Sequence, residues 1–530
     1  MQLNFHTRPH ILSNLPTQVD IIVIGGGASG LGAALEACTR GYTTLLLEQQ
    51  DFAKGTSGKS TKLVHGGVRY LAQGDIKLVR EASLERASLL QNASHLVHTM
   101  QFIVPVYSFW EKIKYTLGLK IYDAIAGRRR LGHARFINRR QVLQAIPALE
   151  PDCLHGGVVY HDGQFDDARL ALNLAQTLVE NGGHCINYAR VTRLIKTGST
   201  INGVEFVDTE TGTSYNVNCR AVINATGVFV DRILQLDRPE ARPTITVSQG
   251  VHLVFDRDRY QSRKAMMIPK TSDGRVLFAV PWHDKLLIGT TDTPVADISL
   301  DPLALETEID FILATANAYL SLNLSRADIR SIFAGLRPLA APAEGQKKTK
   351  EISRSHKIVA SGSGLFTMLG GKWTTYRKMG EDTVDLIEKE LRLTPTTSNT
   401  ANLAIHGSKE NRPTEDPLYF YGSDYHRVMD AIENDTDGWY SKRIPVHRQQ
   451  VKWAVDYEMC RTTEDFLARR TRALLLDAVE ALRIAPMVNE YLAQLLDRDA
   501  DWKEKDLAEF RKLAIQYLPA HPNQPTNLSR

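Results

Sequence analysis

The sequence predicts an α/β protein, α+β overall, with a parallel-sheet domain, an antiparallel-sheet domain and a C-terminal helical domain. Three observations support this. A βαβ pattern with a glycine-rich turn lies near the N-terminus, strands of alternating polarity lie between residues 243 and 337, and helical stretches dominate from residue 451 onward. A chain of 530 residues, 43% of them hydrophobic, can bury the cores of several such domains.

The first strand and the turn after it predict a dinucleotide site. Asp20 to Ile24 (DIIVI) has the composition of a buried parallel strand, and GGGASG follows, with Gly25, Gly27 and Gly30 in G-x-G-x-x-G spacing. Gly25 allows the tight turn, Gly27 lets a pyrophosphate approach the backbone, and Gly30 lets helix and strand pack closely. The N–H groups at the start of the next helix can then bind the phosphates.

The next two elements complete this pattern. A helix is expected from Leu31 to Arg40, ended by Gly41, and a strand from Thr43 to Glu48. Glu48 lies at about the 20-residue distance at which an acidic side chain binds the hydroxyls of an adenosine ribose. The alternative is an ordinary glycine-rich βα turn, and the pattern alone does not separate NAD from FAD.

The polar segment that follows indicates the larger cofactor, FAD. Gly55 to Leu71 (GTSGKSTKLVHGGVRYL) supplies hydroxyl, ammonium and backbone N–H donors for a pyrophosphate and a flavin ring. An NAD enzyme would normally continue directly into further βα units. Strands expected at 221–225 and 365–369 also run into glycine turns, and a helix from about Thr374 to Glu390 could face the flavin pyrimidine ring with its N-terminus.

The residues expected to bind the cofactor lie in these turns and in the polar segment. They are Gly25, Gly27, Ala28, Ser29, Gly30, Glu48, Ser57, Ser60, Thr61, Lys62, His65, Gly66, Gly67, Thr226, Gly227, Gly370, Gly371, Lys372 and Thr374. Alternating strands at 250–255, 275–281 and 285–290 predict an antiparallel sheet whose polar face roofs the flavin.

These motifs together resemble the FAD-dependent glycerol-3-phosphate dehydrogenases. The resemblance covers nearly the whole chain. It is carried by GGGASG, TSGKSTKLVHGGVRYL, INATG, GLRPL from Gly335 to Leu339, LGGKWTTYRKMGED from Leu369, and VKWAVDYEMCRTTEDFLARRTRALLLD from Val451 to Asp477. One departure is Val228-Phe229-Val230, where the family pattern leads us to expect Pro-Trp-Val, and it concerns local packing more than chemistry.

The resemblance implies a Rossmann-like FAD-binding domain and oxidation of sn-glycerol 3-phosphate to dihydroxyacetone phosphate. A base would take the hydroxyl proton while the C2 hydride moves to flavin N5, and the electrons would pass to a membrane quinone. Arginine suits the phosphate because its planar fork binds two oxygens at once. The expected catalytic residues are His252, Arg337 and Lys372, and the expected substrate-binding residues are Arg69, Tyr70, Arg337 and Arg354.

Each of these side chains also has a simpler explanation. An isolated arginine is usually a solvated surface charge, although Arg337 lies between Leu336 and Pro338, which makes simple exposure less expected. A histidine in an apolar strand, such as His252, is often only a hydrogen-bonded core residue, and Tyr70 could serve packing alone. The sequence leaves open which residue accepts the proton.

The strand patterns also set the expected domain boundaries. The FAD-binding domain is assigned to residues 17–90, 150–243 and 330–392, the antiparallel substrate domain to 91–149 and 244–329, a linker to 393–417, and the C-terminal helical domain to 418–530. In the last of these, Arg469, Arg470 and Arg472 are expected to form a basic patch.

The segment from Phe109 to Arg130 predicts a surface helix that contacts a membrane. Ile113, Leu117, Ile121 and Ile125 fall near one helical face, and lysines and arginines outnumber acidic residues. This composition is typical of a helix lying in an anionic interface. The alternative is an amphipathic helix packed on its own domain with a solvated basic face.

The composition limits which classes of partner and which cellular compartments are expected. The net charge of +4 gives no global argument for nucleic-acid binding. The five cysteines are scattered without a CxxC pair, which predicts neither a disulfide framework nor a thiolate metal site and indicates a reducing compartment. The N-terminus has the pattern of neither a secretory signal nor a transit peptide, and no apolar run reaches the roughly 18 residues of a membrane span.

We therefore expect a cytoplasmic protein, peripherally bound to the inner face of a bacterial cytoplasmic membrane, with a homodimer as a candidate assembly. The lack of an EF-hand loop favours a bacterial over a mitochondrial enzyme. Three alternative functions stay open: a glycerol-3-phosphate oxidase that passes electrons to O₂, a flavin amine or amino-acid oxidase, and a flavoprotein without turnover. The clustered Arg, Lys and His residues argue against the last.

Overall fold

The computed structural model describes residues 8–71, 74–340 and 356–519, without the side chains of His10 and Arg69. The strands are β1 (Ile21–Ile24), β2 (Thr44–Leu47), β3 (Leu63–Val64), β4 (Val97–Val106), β5 (Arg135–Asn138), β6 (Gly156–Phe165), β7 (His184–Ile186), β8 (Ala189–Thr197), β9 (Thr200–Asp208), β10 (Ser214–Asn218), β11 (Ala221–Asn224), β12 (Ile245–Asp256), β13 (Ala265–Ile268), β14 (Leu277–Trp282), β15 (Lys285–Gly289), β16 (Thr293–Pro294), β17 (Ile329–Ala340), β18 (Lys357–Ala360), β19 (Leu365–Leu369), β20 (Trp439–Ser441) and β21 (Val446–His447).

The helices follow the same order. They are α1 (Arg8–Ser13), α2 (Ala28–Thr39), α3 (Val68–Leu71), α4 (Ile76–Asn92), α5 (Phe109–Ala126), α6 (Arg139–Ala145), α7 (Asp167–Glu180), α8 (Val230–Asp237), α9 (Glu306–Tyr319), α10 (Tyr376–Glu390), α11 (Tyr425–Glu433), α12 (Arg448–Tyr457), α13 (Ala473–Leu476), α14 (Ala478–Leu495) and α15 (Ala500–Ile515). The helix predicted from Thr374 begins at Tyr376, after a 3₁₀ turn at Trp373–Thr375.

The first sheet forms the predicted nucleotide-binding unit. Its order is β18-β19-β11-β1-β2-β7, with β18 antiparallel and the other strands parallel. The four residues of β1 are all buried, as expected of a β-branched strand covered on both faces. A Cβ on Gly30 would lie 1.9 Å from the carbonyl oxygen of Gly25, so only glycine lets α2 start this close to the turn. Because β2 and β11 flank β1 on opposite sides, ligands are expected at the carboxyl end of β1.

The second sheet is antiparallel over most of its length. Its path is β16-β12-β15-β14-β13-β4-β6-β3, with β17 paired to β12 and β5 to β6. In the β12–β17 register, Ser248 is opposite Arg337 and His252 is opposite Phe333. The even spacing along each strand puts these four side chains on one face. Two predicted site residues, His252 and Arg337, therefore lie on adjacent strands of one sheet face.

The course of the chain differs from the predicted domain boundaries. Strand β6, assigned from sequence to the nucleotide-binding domain, pairs with β4 along its whole length in the second sheet. Strand β17, assigned to the same domain, pairs with β12. The sequence misleads here because an apolar strand followed directly by helix α7 has the pattern of a βα unit in a parallel sheet.

Residues 393–417 run along the first domain and are held there. The side chain of Asn92 donates to the carbonyl oxygens of Thr400 and Ala401, at 3.2 and 3.1 Å, and Arg40 donates to the carbonyl oxygen of Thr396 at 3.2 Å. The N–H of Ile405 donates to the carbonyl oxygen of Asn92 at 2.8 Å. These hydrogen bonds hold the segment against α2 and α4, so it is not a free spacer.

The arginines predicted to form a basic patch are buried. Arg469 and Arg470 both bind the carboxylate of Asp51, which follows β2 in the first domain, and all three side chains are at most 6% exposed. Arg472 lies 2.8 Å from Asp166. The two guanidinium groups hold the pKa of Asp51 below its usual range despite its burial. The prediction of a surface patch is wrong because these charges join the C-terminal domain to the first domain.

Helix α5 is the amphipathic segment found in the sequence. Its apolar side chains Ile113, Leu117 and Ile121 are exposed, as are Phe109 and Trp110, of which Trp110 is 77% exposed. Leu119 and Tyr122 on the opposite side are buried. Among the described residues, no helix has both the length and the apolar character needed to cross a bilayer.

Replacing Asp51 with Ala should destabilise the protein strongly. It leaves the buried Arg470 without its carboxylate partner and takes one carboxylate from Arg469, which keeps Glu464 and Asp465; breaking a buried ion pair typically costs about 3–5 kcal/mol. Urea unfolding followed by circular dichroism measures this change. The matched control is Asp310→Ala, which removes a carboxylate that is 67% exposed and paired with Arg326; it should change the free energy of unfolding by less than about 0.5 kcal/mol. Equal effects of the two variants would contradict the assignment.

Candidate active site

A cavity of about 1080 Å³ lies between the two sheets. The carboxyl ends of β1, β2, β11 and β19 line one side of it, and β12, β14 and β17 line the other. Pockets for small ligands usually measure about 300–1,000 Å³. This cavity therefore has room for an extended dinucleotide together with a small substrate.

The phosphate-binding end of the cavity is formed by the turn after β1. Gly27, the N-cap residue of α2, has no side chain that could bind the first-turn N–H groups, so those other than the N–H of Ala28 can bind a ligand there. The N–H of Ala28 donates to Ser57 Oγ at 2.9 Å, which ties the polar segment to the start of the helix. A Cβ on Gly27 would lie 3.0 Å from the same oxygen, so a larger residue at this position would require Ser57 to shift.

Glu48 lies at the end of β2 on the cavity wall. Its Oε2 accepts the N–H of Gly26 at 2.6 Å and its Oε1 accepts the N–H of Gln50 at 2.9 Å. Each oxygen keeps a further lone pair, which suits ribose hydroxyls. Burial raises the pKa of Glu48, while the two backbone N–H groups act in the opposite direction.

The His65-Gly66-Gly67 loop is held from both sides. The N–H of His65 donates to Thr374 Oγ1 at 3.3 Å, and the N–H of Gly66 donates to Asp162 Oδ1 at 3.2 Å. Behind the loop, the buried Asp162 also accepts from Arg86 at 2.5 Å and from the Tyr122 hydroxyl at 2.9 Å. Asp162 thus connects the loop to helices α4 and α5.

Tyr70 and Lys372 form one contact at the cavity wall. The Lys372 ammonium lies 3.9 Å from the centre of the Tyr70 ring, a cation–π contact. Tyr70 is 5% exposed, and a Cβ on Gly67 would lie 2.1 Å from its ring. Packing against Gly67 therefore orients the tyrosine, and the tyrosine positions the cation.

Arg337 is held by four acceptors on the second sheet. Its Nη1 donates to the carbonyl oxygen of Gln249 at 3.1 Å and to Asp292 at 3.4 Å. Its Nη2 donates to Thr290 Oγ1 at 3.0 Å and to the carbonyl oxygen of Thr291 at 2.9 Å. The guanidinium lines the cavity and is held in one orientation. The side chain therefore loses little conformational entropy when an anion binds to it.

His252 lies on the same face, four residues along β12 from the partner of Arg337. Its Nε2 is 2.9 Å from Thr61 Oγ1, and its ring stacks on Phe333 with centres 4.8 Å apart. Burial lowers the pKa of His252 well below its usual value, and the nearby charges of Arg337 and Lys62 lower it further. The imidazole is therefore neutral at physiological pH and can accept a proton.

Most of the predicted residues line this one cavity. They are Gly25, Gly27, Ala28, Ser29, Glu48, Ser57, Ser60, Thr61, His65, Tyr70, Thr226, Gly227, His252, Arg337, Gly370, Gly371, Lys372 and Thr374. The structure places others behind it: Gly30 is buried under the turn, Gly66 and Gly67 are in the loop behind His65, and Lys62 is fully buried against Asp167. Arg354 and the side chain of Arg69 lie outside the described residues.

Sequence reasoning missed the residues that hold Arg337. Thr290, Thr291 and Asp292 follow β15 and line the cavity. The signal in the sequence was that three polar side chains directly follow the apolar strand β15. Lys59, which the sequence indicated only as part of the polar donor segment, also lines the cavity and binds Asp301 at 2.9 Å.

One arm of the cavity reaches helix α5. Tyr115, Gly118 and Leu119 line it from the helix, and Met267 and Phe278 from the second sheet. Lys114 and Ile121 of the same helix line the cavity as well. The exposed apolar side chains of α5 lie on the same helix, so the arm and the outer surface share one structural element.

The residues present fit FAD. The glycine turns leave room for a pyrophosphate, Glu48 offers acceptors for a ribose, and the segment from Ser57 to His65 lines the far wall. The 3₁₀ turn Trp373–Thr375 leads into α10 beside them, and its Trp373 Nε1 donates to the carbonyl oxygen of Ser57 at 2.8 Å.

Comparisons with known proteins agree with this site. The family described as FAD dependent oxidoreductase matches residues 20–377, and the family described as the C-terminal domain of alpha-glycerophosphate oxidase matches residues 375–504. The bovine mitochondrial glycerol-3-phosphate dehydrogenase is 36% identical over 94% of this chain and 73% of its own length. The mitochondrial enzyme of Saccharomyces cerevisiae is 35% identical over 92% and 87%.

A solved structure extends the agreement to the fold. The glycerol-3-phosphate dehydrogenase of Bacillus halodurans, solved in complex with FAD, superimposes with a TM-score of 0.80 and 30% identity, covering 98% of this chain and 99% of that chain. The predicted fold class, with its FAD-binding domain and C-terminal helical domain, is confirmed, as is the predicted cofactor, FAD. The chain therefore belongs to the family of the FAD-dependent glycerol-3-phosphate dehydrogenases.

Proposed function

We propose that this enzyme oxidises sn-glycerol 3-phosphate to dihydroxyacetone phosphate and passes the electrons to a membrane quinone. The observation that carries the proposal is the pairing, on one sheet face, of a rigidly held guanidinium with a neutral buried imidazole, Arg337 with His252, opposite the FAD-binding residues. FAD, when bound, supplies the acceptor of the C2 hydride at flavin N5.

In this proposal Arg337 binds the substrate phosphate. Its guanidinium is held at the cavity wall by acceptors from Gln249, Thr290, Thr291 and Asp292, so the positive charge is in place before the phosphate binds, and the phosphate oxygens would share or replace some of these acceptors. Lys372, which follows β19 on the other side of the cavity, adds a second positive charge and is oriented by Tyr70. Arg69 and Arg354 stay predictions for the same role. Holding the phosphate places the C2 hydroxyl, and orientation of this kind supplies much of the rate enhancement.

His252 is the proposed proton acceptor. The imidazole starts neutral, and Thr61 Oγ1 contacts its Nε2 and keeps the ring in one orientation. The hydroxyl proton of the substrate would move to the imidazole as C2 is oxidised.

Helix α5 supports a membrane quinone as the electron acceptor. Its exposed Ile113, Leu117 and Ile121 are flanked by basic residues, and residues of the same helix, Ile121 among them, line the cavity. A helix of this kind lies in an anionic interface with its apolar side chains in the acyl boundary. We propose that the protein binds the inner face of a bacterial cytoplasmic membrane through α5. Assembly as a homodimer stays a prediction.

Anaerobic titration of the FAD-loaded protein with glycerol 3-phosphate tests the reaction. The flavin absorbance should bleach, because the C2 hydride reduces FAD, and it should recover when a soluble quinone analogue is added. Recovery with O₂ and stoichiometric peroxide would instead identify an oxidase. A flavin that bleaches only with amines or amino acids from a substrate panel, or with none of the substrates, would overturn the proposal.

Replacing Arg337 with Ala should raise the KM for glycerol 3-phosphate by about 10- to 100-fold, since a charge-assisted hydrogen bond contributes about 1.5–3 kcal/mol. The flavin spectrum should not change. Gly250→Ala should act in the same direction, because its Cβ would lie 2.1 Å from Arg337 Nη2. Gly362→Ala is the control, since nothing lies within 4 Å of its Cβ. An unchanged KM in the Arg337 variant would remove this residue from the phosphate site.

Flotation with liposomes of anionic lipid tests the surface of α5. The native protein should float with the vesicles, and a variant with Ile113, Leu117 and Ile121 changed to Ser should float at least about tenfold less, because apolar burial and charge act together. Replacing Lys112 and Lys120 with Gln should weaken binding mainly at low salt. Val479→Ser is the control for an exposed apolar residue elsewhere, at 59% exposure. Flotation that needs neither the apolar nor the basic residues of α5 would refute membrane contact through this helix.

A further inference from the structure

Lys62 and Asp167 form a buried ion pair behind the cavity wall. The Lys62 ammonium lies 2.7 and 2.8 Å from the two carboxylate oxygens of Asp167 and 2.9 Å from the carbonyl oxygen of Gly58, and both side chains are fully buried. It also lies 5.1 Å from the ring centre of Trp282 and 5.4 Å from that of Phe333. An ammonium withdrawn from water needs this compensation, so the pair occupies one defined position.

The same carboxylate holds the turn that carries Lys62. Asp167 Oδ2 accepts the N–H of Ser60 at 3.1 Å and its hydroxyl at 2.7 Å. Lys62 itself has a φ of +61°, a conformation that a residue with a side chain keeps only when its surroundings impose it. Residues 58–62 are thus fastened to the start of α7 at several points, and Thr61 lies inside the fastened segment.

We propose that Lys62 and Asp167 are positioning residues for the candidate base: they fix the turn so that Thr61 holds the His252 ring, and they set the charge that this ring faces. The inference rests on the proposed role of His252. It also gives Lys62 a different task from the cofactor contact predicted from the sequence, because the ammonium points away from the cavity into the pair with Asp167.

The charged groups around His252 determine the electrostatic environment of its ring. Lys62 faces the ring from the turn and Arg337 faces it from β17, and both positive charges lower the pKa of His252 in addition to burial. Thr61, Phe333 and Gly289 are the uncharged neighbours. Asp167, paired with Lys62, partly cancels the charge of the ammonium.

This arrangement predicts opposite effects for the two members of the pair. Lys62→Met removes a positive charge near His252, so the pKa of the imidazole should rise. Asp167→Asn leaves the ammonium without its counter-charge, so that pKa should fall. If the pair only stabilised the turn, both substitutions would shift the pKa of His252 in the same direction.

The test is the pH dependence, from pH 5 to 9, of the rate at which glycerol 3-phosphate bleaches the bound FAD under anaerobic conditions. In Lys62→Met the acidic limb of the profile should move up by about one pH unit, which lowers the rate below that limb about tenfold. In Asp167→Asn it should move down. Lys285→Met is the matched control, because Lys285 is also a buried lysine of the second sheet, paired with Asp256 at 3.0 Å and Asp284 at 2.7 Å; its profile should match that of the native protein.

Thermal unfolding provides a readout that does not depend on turnover. A histidine whose pKa is lowered in the folded state costs stability as the pH falls below the unfolded value of about 6.5, because the unfolded chain binds the proton more readily. Lys62→Met should therefore lose less in Tm between pH 7.5 and 5.5 than Lys285→Met. FAD content, measured by absorbance, is compared in all variants.

The outcomes separate this inference from the proposed function. Native protein that does not bleach with glycerol 3-phosphate would refute the function. If the flavin of the native protein bleaches, two results would overturn the positioning role. One is that the pH profiles of Lys62→Met and Asp167→Asn move in the same direction. The other is that the profile of Lys285→Met moves with that of Lys62→Met. If Lys62→Met does not retain FAD, Lys62→Arg replaces it, because arginine keeps the positive charge. The pH profile of Lys62→Arg should then match that of the native protein, while the acidic limb of Asp167→Asn should move down. An upward shift of that limb in Asp167→Asn would overturn the inference.

Discussion

Buried charged side chains need partners of opposite charge, and the ion pairs that meet this need connect distant parts of the chain. Behind the cavity walls, Asp51, Asp162 and Asp167 each neutralise at least one buried basic side chain. Each carboxylate belongs to a different segment from the cation that it binds, so every pair also joins two parts of the chain. The cavity lining is rigid because the layer beneath it is ionic, and a rigid polar lining does not have to reorganise when charge develops in a reaction.

Elements with local signals were predictable from the sequence. The turn from Gly25 to Gly30 has a short-range pattern in which each glycine meets a steric need, and the structure shows that need directly at Gly30. The amphipathic face of α5 was also visible, because helical periodicity does not depend on distant residues. Its outward orientation was predicted only as one of two alternatives, since a packed apolar face and an exposed one have the same spacing.

Features that depend on long-range pairing were not predictable. The arginines of the C-terminal domain look like a surface patch until Asp51, more than 400 residues earlier, is placed against them. Lys62 looks like a ligand for a phosphate, because its neighbours Ser60 and Thr61 line the cavity while its own side chain points the other way. Strand β6 looks like part of a parallel sheet, because the helix after it is local and its true partner, β4, is not.

The interleaved course of the chain between the two sheets has a consequence for how the protein is made. Strand β11 pairs with β19, more than 140 residues later, and β12 pairs with β17 across the sequence between them. Such contacts raise the contact order. Chains of high contact order fold slowly, because the entropy cost of closing long loops comes before the strand contacts stabilise the structure. The first sheet cannot be completed during synthesis until β19, which ends at Leu369, has left the ribosome, and the second sheet cannot be completed until β17, which ends at Ala340, has done so. Until then, half-paired strand edges are exposed, which makes the nascent chain a natural client for chaperones.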